Sequence, residues 1–244
     1  MNRGRAYSIG AAAVVLFALF SGQAVSSDDE AVLKRPSVRR ADFARERVAR
    51  EVRQFADWVV DSSDNQGKPF LIVDKPNARV FVFESSGRVR ASAPALLGSA
   101  PGDHSVPGIG ERELSDMAPP DRTTPAGRFV AGTGTNTRGE DVLWVDYDSG
   151  LSLHRVLTTK PEERRLERLA TPTPKDNRIS YGCINVPKKF YETIVAPTFS
   201  GTEGIVYILP ELGSARKLFG TYEVGEPAHV HHAAHSVPAG KARP

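Results

Sequence analysis

The chain has 244 residues, 40% of them hydrophobic, and a formal net charge of +3. That length fits one domain with tails, and the apolar fraction is enough for a packed core. So small a charge, with no basic stretch interleaved with aromatics, gives no ground for a nucleic-acid partner, and a single cysteine rules out an internal disulfide.

The N-terminus, Met1-Asn2-Arg3-Gly4-Arg5, is a short positive segment. Ile9 to Phe20 follows as an apolar run of 12 residues, then Ser21-Gly22-Gln23-Ala24 with small residues where a signal peptidase reads. This is the pattern of a secretory signal over residues 1–24. The run is short for a membrane span, and no other segment offers one, so the mature chain is expected in the periplasm or cell envelope. Residues 25–40 are polar and aperiodic and predict a flexible stalk. Over residues 41–62, Phe43, Val48, Val52, Phe55 and Val59 recur at helical spacing and predict an amphipathic helix packed on the domain edge.

From Phe70 the period changes to two. Phe70–Val73, Arg79–Phe83 and Val89–Ala95, joined at Asp74-Lys75-Pro76-Asn77 and Ser85-Ser86-Gly87, predict a meander. Gly98–Pro120 is a Pro/Gly-rich insertion of a length usually tied to function or mobility. Arg128–Ala131, Val142–Val145 and Leu151–His154 predict further strands, and Pro161–Leu169 a short surface helix. Pro187–Val195 reads as a helix with Pro at its first position and Phe190, Tyr191 and Ile194 on one face. Gly204–Leu209 is a closing strand. With 18 prolines and 21 glycines, the body reads as β-rich. The fold class expected is mostly β, a mixed sheet or sandwich with one or two short helices. Residues 213–244 lose their period and read as a disordered tail. Its histidines, His229, His231, His232 and His235, lack a rigid scaffold, so no metal site is expected there.

The one cysteine lies in Ile179-Ser180-Tyr181-Gly182-Cys183-Ile184-Asn185. A leftover thiol in an exported chain is a candidate reactive group. At its ordinary pKa of about 8.5 a thiol is only a few per cent thiolate at neutral pH, so a nucleophilic cysteine needs a base or a cation nearby. Of the six histidines, only His104 and His154 lie inside the domain. His154, at a strand end, is the better partner for Cys183. Gly182 permits a sharp turn that can aim backbone N–H groups at one point, as an oxyanion hole requires. The following helix can further lower the thiol pKa through its dipole.

These residues carry a resemblance. Ser180-Tyr181-Gly182-Cys183-Ile184-Asn185, with His154 upstream, resembles the signature of the L,D-transpeptidase catalytic domain. Thr123-Thr124-Pro125-Ala126-Gly127-Arg128-Phe129 resembles that family's Thr-Pro-x-Gly-x-Phe segment, and Phe70–Phe83 its first strands. The likeness runs over about Lys68 to Pro210, within an expected catalytic domain at residues 68–212. It implies that Cys183 is the nucleophile, attacking the carbonyl between the third and fourth residues of a peptidoglycan stem peptide, with His154 as base. The thioester is then resolved by the amine of another stem, of a lipoprotein or of a free D-amino acid, without metal or organic cofactor. It further implies oxyanion and support roles for Gly182, Tyr181 and Ser180. Arg178 and Asn185 are expected at substrate-binding positions, and Ser180 and Asn185 are expected to hold the turn through backbone hydrogen bonds.

Two features depart from the family pattern. Tyr181 stands where the family has His, and Arg155–Ile179 exceeds the usual spacer, so it reads as a lid or acceptor-side insertion. They leave two alternatives: a hydrolase or amidase on the same scaffold, and a non-catalytic wall-binding protein.

Overall fold

The structure is a computed structural model, and it describes residues 37–225. The export signal, the stalk up to residue 36 and the tail histidines fall outside the described residues.

The alternating and apolar runs become strands β1 (Phe70–Asp74), β2 (Arg79–Phe83), β3 (Val89–Pro94), β5 (Gly127–Thr135), β6 (Asp141–Asp146), β7 (Leu151–Arg155) and β10 (Gly204–Ile208). Three short strands, β4 (Leu97–Gly98), β8 (Arg178–Ser180) and β9 (Ile184–Val186), were not foreseen. Eight strands form one sheet in the order β3-β2-β1-β10-β5-β6-β7-β9, and β4 pairs with β8. The sheet is mixed: β1 runs parallel to β10 and β7 parallel to β9. Its two edges meet just past β3, where Leu96 and Asn185 exchange backbone hydrogen bonds of 2.8 and 2.9 Å. The sheet is therefore nearly closed, which removes exposed edges and ties the cysteine motif into the body of the domain. The mostly β, mixed-sheet expectation holds.

Alternation along each strand sorts side chains to two faces. Inward go Leu71, Val73, Val80, Val82, Ala131, Leu143, Leu153, Ile184, Val206 and Ile208, with Phe199 and Tyr191 from the helical segment closing the interior. That segment runs from α3 (Lys188–Phe190) through a π-turn, Tyr191–Val195, into α4 (Ala196–Phe199). Outward on β1, β2 and β10 go Phe70, Ile72, Phe81, Phe83, Ile205 and Tyr207, which are buried as well. Their cover is α1 (Arg50–Ser62), through Val52, Phe55, Trp58 and Val59. Burial on both faces explains why Phe70–Val73 reads as an unbroken apolar run.

The helix starts at Arg50, not at Ala41. Residues before it run extended, with Asp42 N–H bonded to Gly87 O and Val89 N–H to Asp42 O. The buried Asp57 carboxylate fixes this stretch by accepting from Ala41 N–H (2.9 Å) and Arg40 Nη1 (3.0 Å). Phe43 then reaches the outer aromatic cluster, 5.4 Å from Phe83 between ring centroids. At the other end, part of the expected tail is built: α5 (Ala215–Phe219) brings Phe219 to 4.8 Å from Phe55. Amphipathic period alone marked the apolar face of α1 but not where the backbone leaves helix for a bridge.

Candidate active site

β7 and β9 are parallel neighbours, with His154 opposite Asn185. Leu151 and Leu153 face the interior, so Ser152 and His154 face outward, and so does Asn185, because Ile184 and Val186 face in. This side-by-side pairing brings together residues 31 positions apart.

Cys183 ends the turn that leads into β9. Gly182 has φ +133°, and a Cβ there would lie 2.8 Å from Thr123 O, so glycine is required on two grounds. Thr124 Oγ1 donates to Gly182 O (2.7 Å) and accepts from Gly98 N–H (2.9 Å). Ser180 Oγ donates to Cys183 O (2.7 Å) and accepts from Gly182 N–H (3.1 Å). Ser180 thus supports the turn as expected from its chemistry. Gly182 does not offer its N–H to a ligand, because Ser180 occupies it; the N–H of Cys183 has no bond partner among the described residues.

The half-buried Sγ accepts from Ser152 Oγ (3.6 Å), and its own S–H faces Gly150 O (3.6 Å). Burial disfavours the thiolate, but the hydrogen bond and charge of His154, then the N–H and hydroxyl of Ser152, outweigh it and hold the thiol below its ordinary value. A helix dipole is not the cause: β9 separates Cys183 from the helix at Lys188. His154 Nδ1 lies 2.7 Å from Arg155 O. A carbonyl only accepts, so Nδ1 carries the proton and Nε2 presents its lone pair. The Arg155 side chain is anchored away from the site by Asp141 (2.9 Å) and Glu192 (3.1 Å), which steadies the carbonyl that orients the imidazole.

Asn185 is buried and committed to the protein. Its Nδ2 donates to Cys183 O (3.2 Å) and lies 3.3 Å from His154 Nε2, while its Oδ1 accepts from Arg165 Nη1 (2.7 Å). Arg165 is on α2 (Arg165–Ala170), inside the insertion, and is itself held by Glu163 (2.5 Å). Through this contact the insertion is tied to the motif on the same outward face as His154. Arginine only donates, so it fixes which end of the Asn185 amide faces His154. No spacing rule in the sequence links Arg165 to Asn185.

Arg178 is likewise unavailable to a substrate carboxylate in this arrangement, because it pairs with Glu211 and donates to Lys75 O (3.3 Å). It borders a buried ionic knot. Lys75, fully buried, donates to Asp103 (2.6 Å), Gly102 O (2.6 Å) and Thr124 O (2.9 Å). Asp103 also accepts from the N–H groups of Glu211, Leu212 and Gly213 at 2.8–3.0 Å. The knot fastens the Gly98–Pro120 segment beside the motif, so that segment is anchored. Burial pushes the Asp103 carboxyl up, but the bonds from Lys75 and the Glu211 and Leu212 N–H groups hold it below its usual value. Tyr181 lies under the Arg122 guanidinium, 4.2 Å from the ring centroid, and its hydroxyl bonds no protein group among the described residues. His104 is exposed in the anchored segment, where its backbone O accepts from Thr123 Oγ1 (2.8 Å).

A thiol with a lowered pKa, an imidazole whose Nε2 acts as an acceptor facing Asn185 Nδ2, and a backbone N–H with no partner among the described residues can together perform nucleophilic acyl transfer. Compared with known proteins, the chain matches no protein-family model and no curated protein sequence. Among solved structures it is similar to an L,D-transpeptidase of Enterococcus faecium, at 18% identity over 58% of this chain and 49% of that one, with a TM-score of 0.33. It is also similar to the L,D-transpeptidase LdtMt1, at 15% identity over 57% and 58% of the two chains (TM-score 0.33). The helical cell shape determining protein Pgp2 of Campylobacter jejuni gives 15% identity over 67% and 57% (TM-score 0.38). The chain spans about half the length of the first of these structures.

Proposed function

We propose that this chain is an exported cysteine L,D-transpeptidase acting on peptidoglycan stem peptides through a thioester on Cys183. The observation that carries the reading is the outward-facing set of Cys183, Ser152 and His154, with Nδ1 of His154 fixed on Arg155 O. His154 Nε2 takes the thiol proton, and Sγ attacks the carbonyl carbon between the third and fourth stem residues. Negative charge on the carbonyl oxygen is met by the Cys183 N–H. The C–N bond then breaks, His154 returns the proton to the departing amine, and the fourth residue leaves as a free D-amino acid. In the second half, His154 removes a proton from an acceptor amine. That nitrogen attacks the thioester, and Sγ leaves with a proton regained.

The acceptor decides between transpeptidation and hydrolysis, and products report it. Incubation with disaccharide-tetrapeptides is expected to release the terminal D-amino acid and give a cross-linked dimer by liquid chromatography and mass spectrometry. Free tripeptide acid as the sole product would replace transpeptidation by hydrolysis. Untouched substrate with folded protein would leave the fold without this activity.

A further inference from the structure

The outer face that carries Cys183 continues beyond it. Ser152, whose hydroxyl donates to Sγ, lies opposite Trp144 on β6, and Trp144 lies opposite Gly132 on β5. Directly opposed residues share a face, so Trp144 and Gly132 stand on the same surface as Ser152 and His154. A groove of about 510 Å³ opens there, lined by Val130, Gly132, Thr133, Trp144, Tyr147 and Asp148 among others. The Trp144 and Tyr147 rings meet at 64° with centroids 5.0 Å apart, forming a corner. Tyr147 is 76% exposed and Val130 54%. A Cβ at Gly134 would lie 2.8 Å from Trp144 Cδ1, so that glycine lets the indole rest against the sheet, and Gly132 leaves the floor open.

Single exposed apolar residues need no explanation, but an aromatic corner over a glycine floor, on the sheet face of the nucleophile and two strands from β9, is a built surface. Its charge selects the occupant. Arg128 at its border is neutralised by Asp64 (2.7 Å). Asp146 accepts from Ser149 Oγ, and Asp148 makes no ion pair among the described residues. An anionic peptide is repelled by these carboxylates. A neutral pyranose suits them: its C–H groups meet the negative faces of the rings and its hydroxyls donate to carboxylates.

We propose that this groove binds an amino-sugar ring of the glycan strand that carries the substrate peptide; the identity of the sugar rests on the function proposed above. The spacing agrees. From β9 to β6 is two strand intervals, about 10 Å, and three extended residues reach about 10 Å, which is the separation between a sugar-linked first residue and the carbonyl of the third.

The test uses the full chain with Cys183→Ala, so that nothing is turned over, and two probes: a β-1,4-linked N-acetylglucosamine tetramer and a free tetrapeptide stem. The chain has two tryptophans, and Trp58, on α1, is buried against the sheet, so an emission change reports on Trp144. The sugar is expected to give a saturable change that survives Trp58→Phe and vanishes in Trp144→Phe. By calorimetry Tyr147→Ala is expected to weaken sugar binding about tenfold. No saturable response up to about 10 mM sugar, or an equal response to the sugar-free peptide, overturns the proposal; the latter makes the groove a peptide subsite. Sugar binding does not need the thiol. Binding without acyl-enzyme in the wild type would sink the proposed function alone, and acyl-enzyme without sugar binding would sink the groove alone.

Discussion

The two halves of the sheet's outer face are opposites. Over β2, β1 and β10 it is aromatic and sealed by α1, Phe43 and α5, with Phe55 2% and Tyr207 0% exposed. Over β6, β7 and β9 it is polar, is met at Asn185 by Arg165 of α2, and carries Ser152, His154, Asn185 and the neighbouring Cys183. One sheet therefore does two jobs. The sealed half supplies stability through area removed from water. The open half holds its polar side chains, Ser152 and Asn185 buried among them, each on a fixed partner, which is what a rigid reactive constellation requires.

Mutations on the two halves should separate these roles. The largest stability effect is expected from Phe55→Ala, which empties the space between Trp58, Tyr207 and Phe219. A loss of about 3–5 kcal/mol by denaturant unfolding is expected, with the alkylation rate of Cys183 unchanged in the protein that remains folded. Next is Asp103→Asn, which leaves the fully buried Lys75 without its nearest carboxylate and should cost about 3 kcal/mol. The acid limb follows the same group. A carboxyl whose folded pKa lies below its unfolded value contributes stability above the unfolded pKa, and that contribution is lost as pH falls through the folded one. Asp103 is held below 3.8, so wild type should lose this contribution below about pH 4, and Asp103→Asn should show a flatter acid limb in pH-dependent unfolding.

On the open half, His154→Gln should leave stability nearly unchanged and raise the pH midpoint of Cys183 alkylation by iodoacetamide, because His154 lowers the thiol pKa. A midpoint that does not move would remove His154 as the partner. The smallest effect is expected from Arg165→Met, which frees the Asn185 amide. One charge-assisted hydrogen bond acting through a positioning residue predicts a roughly tenfold slower acyl-enzyme formation, partly restored in Arg165→Lys. An equal loss in both variants would mean that the insertion matters only for folding.

How much of this was legible follows from the range of each interaction. Strands such as Arg79–Phe83 announce themselves locally, because alternation needs only five residues. β4, β8 and β9 are two or three residues long and exist only through partners far along the chain, so no local pattern marks them. Cys183 and His154 were singled out as candidates by chemistry and elimination. Ser152 and the Arg155 carbonyl were not, since one is a common strand residue and the other is backbone. The pairing of Arg178 with Glu211, 33 residues away, had no local signal, and neither had that of Asn185 with Arg165, 20 residues away, although the bond from Asn185 to the turn backbone was expected. Sequence shows which groups are reactive; it does not show which are already taken.

The central claim is that Cys183 on the open half forms a thioester. Intact-protein mass spectrometry after mixing the full chain with a tetrapeptide stem tests it directly, with Cys183→Ala as control. The account predicts a mass gain equal to the stem minus its terminal residue, absent in the control. An adduct that persists in Cys183→Ala, or no adduct and no consumed peptide with folded protein, would contradict it.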